Sequence, residues 1–242
     1  MTRAAITFVA LALAGLACWL GPCLVLHARP GGVSQEHWTA SALIALSEAN
    51  EDAKKAAEWL KSQVENLSSM TWTANESDIP AIIIYSFYVN QSDDTIDIAS
   101  VSEKLKTFQN TDSGSNSYGG FRGFKENGQT PTESSVDTAL SLLALSGYDN
   151  FTIEDSEAAV NFLRKLQNGD GSFNLTSSTQ SHALYSLAPD PISLTALAVF
   201  TFSELGEGVP ENALDYLKRS ARTCFGNENR SYSAAISAIA FD

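Results

Sequence analysis

The chain has 242 residues, 44% of them apolar and 18% charged, so it can bury a substantial core as one large domain or two small ones. Fifteen Lys plus Arg stand against 28 Asp plus Glu, for a formal charge of −13. That surface repels phosphate backbones and excludes a nucleic-acid partner; the acids are scattered and read as a solvated face.

The chain opens on "MTRAAITFVALALAGLACWLGPCLVLHARPGG", where no charge separates Arg3 from Arg29. An apolar run of about 25 residues is long enough to cross a bilayer. Residues 1–28 therefore read as a signal peptide, with Ala17 or Ala28 as the small residue at a cleavage site, or as an uncleaved anchor; a buried helix is the third alternative. Either of the first two places the remainder outside the cytoplasm and limits membrane contact to this segment. Neither Cys18 nor Cys23 follows a lipidation box, and with only Cys224 left in the body no internal disulfide framework can form. Six Asn-x-Ser/Thr sequons, at Asn66, Asn75, Asn90, Asn150, Asn174 and Asn229, are glycosylation candidates in an exported chain, although an Asn- and Ser-rich sequence produces some by chance.

Residues 34–242 form the body, and it repeats itself. "TASALIALSEANEDAKKAAEWLKSQ" from Thr39 pairs an apolar helix rich in small residues with an acidic turn and an amphipathic helix. A degenerate copy begins at Ala81, "AIIIYSFYVNQSDDTIDIASVSEKLKTFQ". Full copies follow at Thr138, "TALSLLALSGYDNFTIEDSEAAVNFLRKLQ", and at Thr195, "TALAVFTFSELGEGVPENALDYLKRSA". A last apolar helix, "SAAISAIAF", starts near Ser233. The first helix type is apolar nearly all round and belongs in an inner, buried layer. The second carries one stripe, Ala159, Phe162, Leu163 and Leu166, with acids at its start where the helix dipole favours them, and belongs in an outer layer.

Between outer and inner helices lie "LRKLQNGDGSFN" and a weaker version, "LKTFQNTDSGSNSYGGF". Gly169 and Gly171 are expected to supply positive φ and reverse the chain, Gln167 to bind exposed carbonyls, and Phe173 to pack back under the helix pair. A phosphate cradle needs a strand before its glycines and a helix directly after, and this context lacks both.

These motifs, with "SVDTALSLLALS" and "SLTALAVFTFSEL", resemble the α/α-toroid superfamily, which includes terpenoid cyclases, protein prenyltransferase β-subunits and the thioester domains of complement and alpha-macroglobulins. The resemblance covers roughly Ser34 to Asp242, and "ENALDYLKRSA" with "RSYSAAISAIAF" is closest in character to the thioester domains. It implies an all-α fold of inner and outer helix layers. Four complete pairs and a final inner helix fall short of the six pairs of a closed toroid, so the expected ring is open or incomplete, and the final helix offers apolar surface to a protein partner.

The chemistry of each branch can be checked against this chain. The cyclase acid motif aligns best with "SSVDTA", Ser134 to Ala139, but Val136 stands where the resemblance puts the acid and Ser134 where it puts the first Asp; Asp137 matches the last. "QSDDTI" keeps Asp93 and Asp94 but leads into an outer-type helix. The prenyltransferase zinc set needs an Asp-x-Cys pair that is absent, and Cys224, His37 and His182 make no metal site by spacing. The Gly-Cys-Gly-Glu-Gln thioester stretch is absent, and His182 has no nucleophile setting. No catalytic residue, metal or cofactor is therefore expected.

Among the aromatic residues, which include Trp72, Phe121 and Tyr185, Trp59 lies on its helix's apolar stripe. Trp38, Tyr118 and Tyr232 precede inner helices, where the resemblance opens a central cavity; with Glu133 and Asp137 they are the candidate lining for an apolar or glycan ligand, packing being the plainer role. Three functions follow: an exported, non-catalytic binding or interaction module; a toroid enzyme acting on an apolar substrate through a displaced acid at Asp93, Glu133 or Asp137; or an alpha-macroglobulin-type protein without its thioester.

Overall fold

The computed structural model describes Glu58 and residues 78–89, 98–124, 132–148, 152–177 and 191–224. Within them lie six helices and one short ribbon: α1 (Asp78–Val89), α2 (Ile98–Lys106), β1 (Arg122–Phe124), β2 (Thr132–Glu133), α3 (Ser135–Ser146), α4 (Ile153–Lys165), α5 (Pro191–Glu204) and α6 (Glu211–Cys224). The order is that of three hairpins, each an apolar helix followed by an amphipathic one.

Helices α1, α3 and α5 form the inner layer, α3 packing between the other two, while α2, α4 and α6 each lie against the inner helix that precedes them. Their sequences dictate this. In α3 every residue from Asp137 to Leu145 is buried, and its Ala and Ser positions let neighbours approach closely. Pro191 opens α5 at the one turn where a missing N–H costs nothing. The expected stripe of α4 is the observed one: Ala159, Phe162, Leu163 and Leu166 are all buried, and Arg164 and Lys165 close the helix where cations meet its negative end. Three buried threonines of the inner helices bond locally, Thr138 donating to Ser134 O, Thr195 to Pro191 O and Thr201 to Leu197 O.

The strands β1 and β2 pair antiparallel as a loop ribbon, Arg122 opposite Glu133 and Phe124 opposite Thr132. No other strand pair occurs among the described residues, in keeping with the all-α expectation. Two isolated bridges close the inter-hairpin loops, Gln109 with Phe121 and Gln167 with Phe173. One detail of the loop reading changes. Gly171 has φ 96°, but Gly169 does not take positive φ; its counterpart in the first loop is Gly119, at φ 88°.

Candidate functional site

The two loops are built alike and show what the repeated motif does. Each Phe is fully buried, and its backbone N–H is captured by the first-turn threonine of the next inner helix: Phe121 N donates to Thr138 Oγ1 at 2.9 Å, and Phe173 N to Thr195 Oγ1 at 3.0 Å. Each Gln reaches the next outer helix. Gln109 Nε2 donates to Asp155 O at 2.8 Å and to Gly119 O at 3.2 Å, while Gln167 Nε2 donates to Asn212 Oδ1 at 3.0 Å. Gln167 also reaches Gly171 O, so the expected carbonyl contact is present, inside its own loop. A single loop thus ties one hairpin to both helices of the next.

Both threonines stand at the head of a Thr-Ala-Leu run, "DTALSLLALS" and "LTALAVFTF", which marks the repeat but not this bond. Thr195→Val would leave the buried Phe173 N–H without its acceptor, and should lower the unfolding free energy by about 1–3 kcal/mol. Urea unfolding checks this, and Thr195→Ser, which keeps the hydroxyl, should recover most of the loss.

Asp170 sharpens the second loop. Its carboxylate accepts from Ser172 Oγ at 2.7 Å and from Ser172 N at 2.9 Å, and these bonds, the side-chain one foremost, hold its pKa below the ordinary 3.8. Asn168 and Asn174 face each other through both amides, Nδ2 to Oδ1 at 3.1 and 2.7 Å. Asn174 is therefore a half-buried part of the loop, and Thr176 of the same sequon is buried. The other five candidate asparagines, Asn66, Asn75, Asn90, Asn150 and Asn229, lie outside the described residues, as do Trp38, Tyr232, Asp93, His37, His182, the apolar leader and the final apolar helix.

Three of the candidate lining residues can be placed. Asp137 is 4% exposed at the third position of α3, where Ser134 caps the helix: Ser134 Oγ accepts from Asp137 N at 3.0 Å and donates to its carboxylate. Thr152 and Asp155 repeat the arrangement at the start of α4. In both, the capping hydroxyl accepts from the N–H three residues on and donates to the carboxylate of that same residue. Glu133 sits on β2 and its Oε1 accepts from Asn110 Nδ2 at 3.1 Å; Asn110 also donates to Ser115 Oγ, so Glu133 helps to hold the first loop. Tyr118 is the correction. The expectation aimed it at a central cavity, but it lies in the outer layer, beside Ala158, Asn161, Arg164 and Lys165 of α4, around a groove of about 410 Å³. The reason is loop length: six more residues separate Gln109 from Phe121 than Gln167 from Phe173, and they carry Tyr118 outward.

Glu133 and Tyr118 are thereby joined through one loop, while Asp137 belongs to a separate cap; the three do not converge on one site. Among the described residues no cluster of His, Cys, Asp and Glu could hold a metal ion, and no helix is long and apolar enough to cross a membrane. Residues 36–188, more than half of the chain, match the family model described as the prenyltransferase alpha-alpha toroid domain. No curated protein matches the chain.

Proposed function

The chain belongs to the prenyltransferase α/α-toroid family, and from that premise we propose that it is an exported, non-catalytic binding or interaction module. The observation that carries this reading is what has become of the stretch Ser134 to Ala139. Ser134 and Asp137 are spent on capping α3, Thr138 holds the Phe121 backbone, and Val136, where the cyclase acid would stand, is partly buried against the core. Protonating an alkene takes a strong acid aimed at the substrate in a dry cavity. Here the carboxylate is turned to its own helix terminus. Prenyl transfer to a thiol takes a zinc-bound thiolate, and the sequence has no Asp-x-Cys pair to build it. Export rests on the apolar run between Arg3 and Arg29 and on the sequons.

The full chain should give no turnover of squalene, or of farnesyl or geranylgeranyl diphosphate with a thiol peptide, with or without zinc. Turnover that Asp137→Asn abolishes while circular dichroism stays unchanged would replace the module with an enzyme. For export, residues 1–33 fused to a reporter should carry it out of the cytoplasm; a reporter retained inside removes that part of the reading.

A further inference from the structure

The outer groove beside Tyr118 gains meaning from comparison with its counterpart one hairpin later. Gly119 abuts the backbone of Ala158 in α4, and Gly171 abuts that of Asn212 in α6. Counted from those contacts, Asn161, Arg164 and Lys165 correspond to Asp215, Lys218 and Arg219, and Tyr118 to Asp170. At the second junction these positions bond to one another: Arg219 Nη2 donates to Asp170 O at 2.8 Å, and Lys218 pairs with Asp215 at 3.8 Å. At the first junction they do not. The Tyr118 hydroxyl, the Asn161 amide and the Lys165 ammonium make no hydrogen bond or ion pair with the described residues, and they line an open groove of about 410 Å³.

Arg164 is different, because it is already held. Its guanidinium donates to Gly208 O at 3.2 Å and to Glu207 Oε2 at 3.1 Å, and lies over the Phe202 ring. The groove therefore offers one cation, Lys165, that no described residue pairs, beside the phenol ring of Tyr118 and the Asn161 amide, which can both donate and accept. That set matches a single carboxylate on a ring of hydroxyls, with the apolar ring face against Tyr118. The volume lies near the lower end of ordinary ligand pockets, which suits one sugar ring better than an extended peptide.

We propose that this groove, Tyr118 with Asn161, Arg164 and Lys165, binds a hexuronate-type acidic sugar, free or at the end of a glycan. The proposal rests on the binding-module reading and deepens it.

The test is a titration of the full chain, labelled for amide NMR, with glucuronate, glucose, acetate and a short acidic peptide as probes. Glucuronate should give saturable shifts in residues 115–120 and 158–165, with glucose, acetate and the peptide each at least about tenfold weaker. Lys165→Ala and Tyr118→Phe should each weaken glucuronate several-fold, while Lys218→Ala, at the second junction, leaves it unchanged. Equal binding of acetate would reduce the site to an adventitious anion contact. Equal glucose binding would remove the carboxylate from recognition, and tighter binding of the peptide would hand the groove to a protein partner; each overturns the proposal, as does the absence of any saturable shift. None of these results bears on the turnover assay, so the two readings fail separately.

Discussion

Phe173→Ala should destabilise the protein by about 3–5 kcal/mol, the usual cost of emptying a fully buried phenylalanine site. The ring has no exposed surface and packs against Phe202 of α5 with centroids 6.1 Å apart. Its loss opens a cavity where three elements meet: the end of α4, the loop and α5. The site has little freedom to collapse, because the backbone on either side is fixed. Phe173 N is bonded to Thr195, and Asn174 N donates to Leu166 O at 2.9 Å. Chemical denaturation with a two-state fit measures the loss. An unchanged midpoint would mean that the glycine turn and the threonine bond hold the junction without the ring.

Gly171→Ala and Gly119→Ala should be comparably severe, at about 3 kcal/mol or more each. Two costs combine. The φ of 96° at Gly171 and 88° at Gly119 is a left-handed conformation that costs an L-residue about 1–2 kcal/mol. A Cβ would also lie 2.0 Å from Asn212 O at Gly171 and 2.1 Å from Ala158 O at Gly119. Those atoms are backbone of the next outer helix, so relief requires moving a whole hairpin. Gly206 supplies the internal control: its φ is 68°, but no atom lies within 4 Å of an added Cβ. Gly206→Ala should therefore show the conformational cost alone. Should Gly171→Ala prove no worse than Gly206→Ala, close approach of the helix would not be what selects glycine there.

These substitutions act on the same device, and it explains the repeat. Each loop spends a glutamine, a glycine and a phenylalanine on binding the following hairpin, so the motif stabilises a stack rather than a single pair of helices. A hairpin without its neighbour would leave all three contacts unmade. The most repeated residues of the chain are for this reason structural, and a function must be sought where the repeat is broken. The first loop is such a place, with its six added residues and its open groove beside α4.

Much of this was legible in the linear pattern. The stripe of Ala159, Phe162, Leu163 and Leu166 follows from the helix period alone, and so does the separation of inner from outer helices by which faces carry charge. Phe173 could be read as an anchor because a lone aromatic after a glycine turn has only the core to enter. Val136 at the acid position needs no coordinates to be noticed. All of these are local properties, set by residues within a few positions of one another. What only the tertiary structure decided depends on the next hairpin. Gly171 takes positive φ and lies against the backbone of Asn212, whereas Gly169 does neither, and the loop sequence alone does not distinguish the two. Thr138 and Thr195 act as acceptors for phenylalanine N–H groups 17 and 22 residues away, partners that no helical period announces. Tyr118 turns to the outer layer because its loop docks on α4, whose stacking is a property of the assembled core. Periodicity reports which face of an element is buried; which element it is buried against is settled only when the hairpins stack.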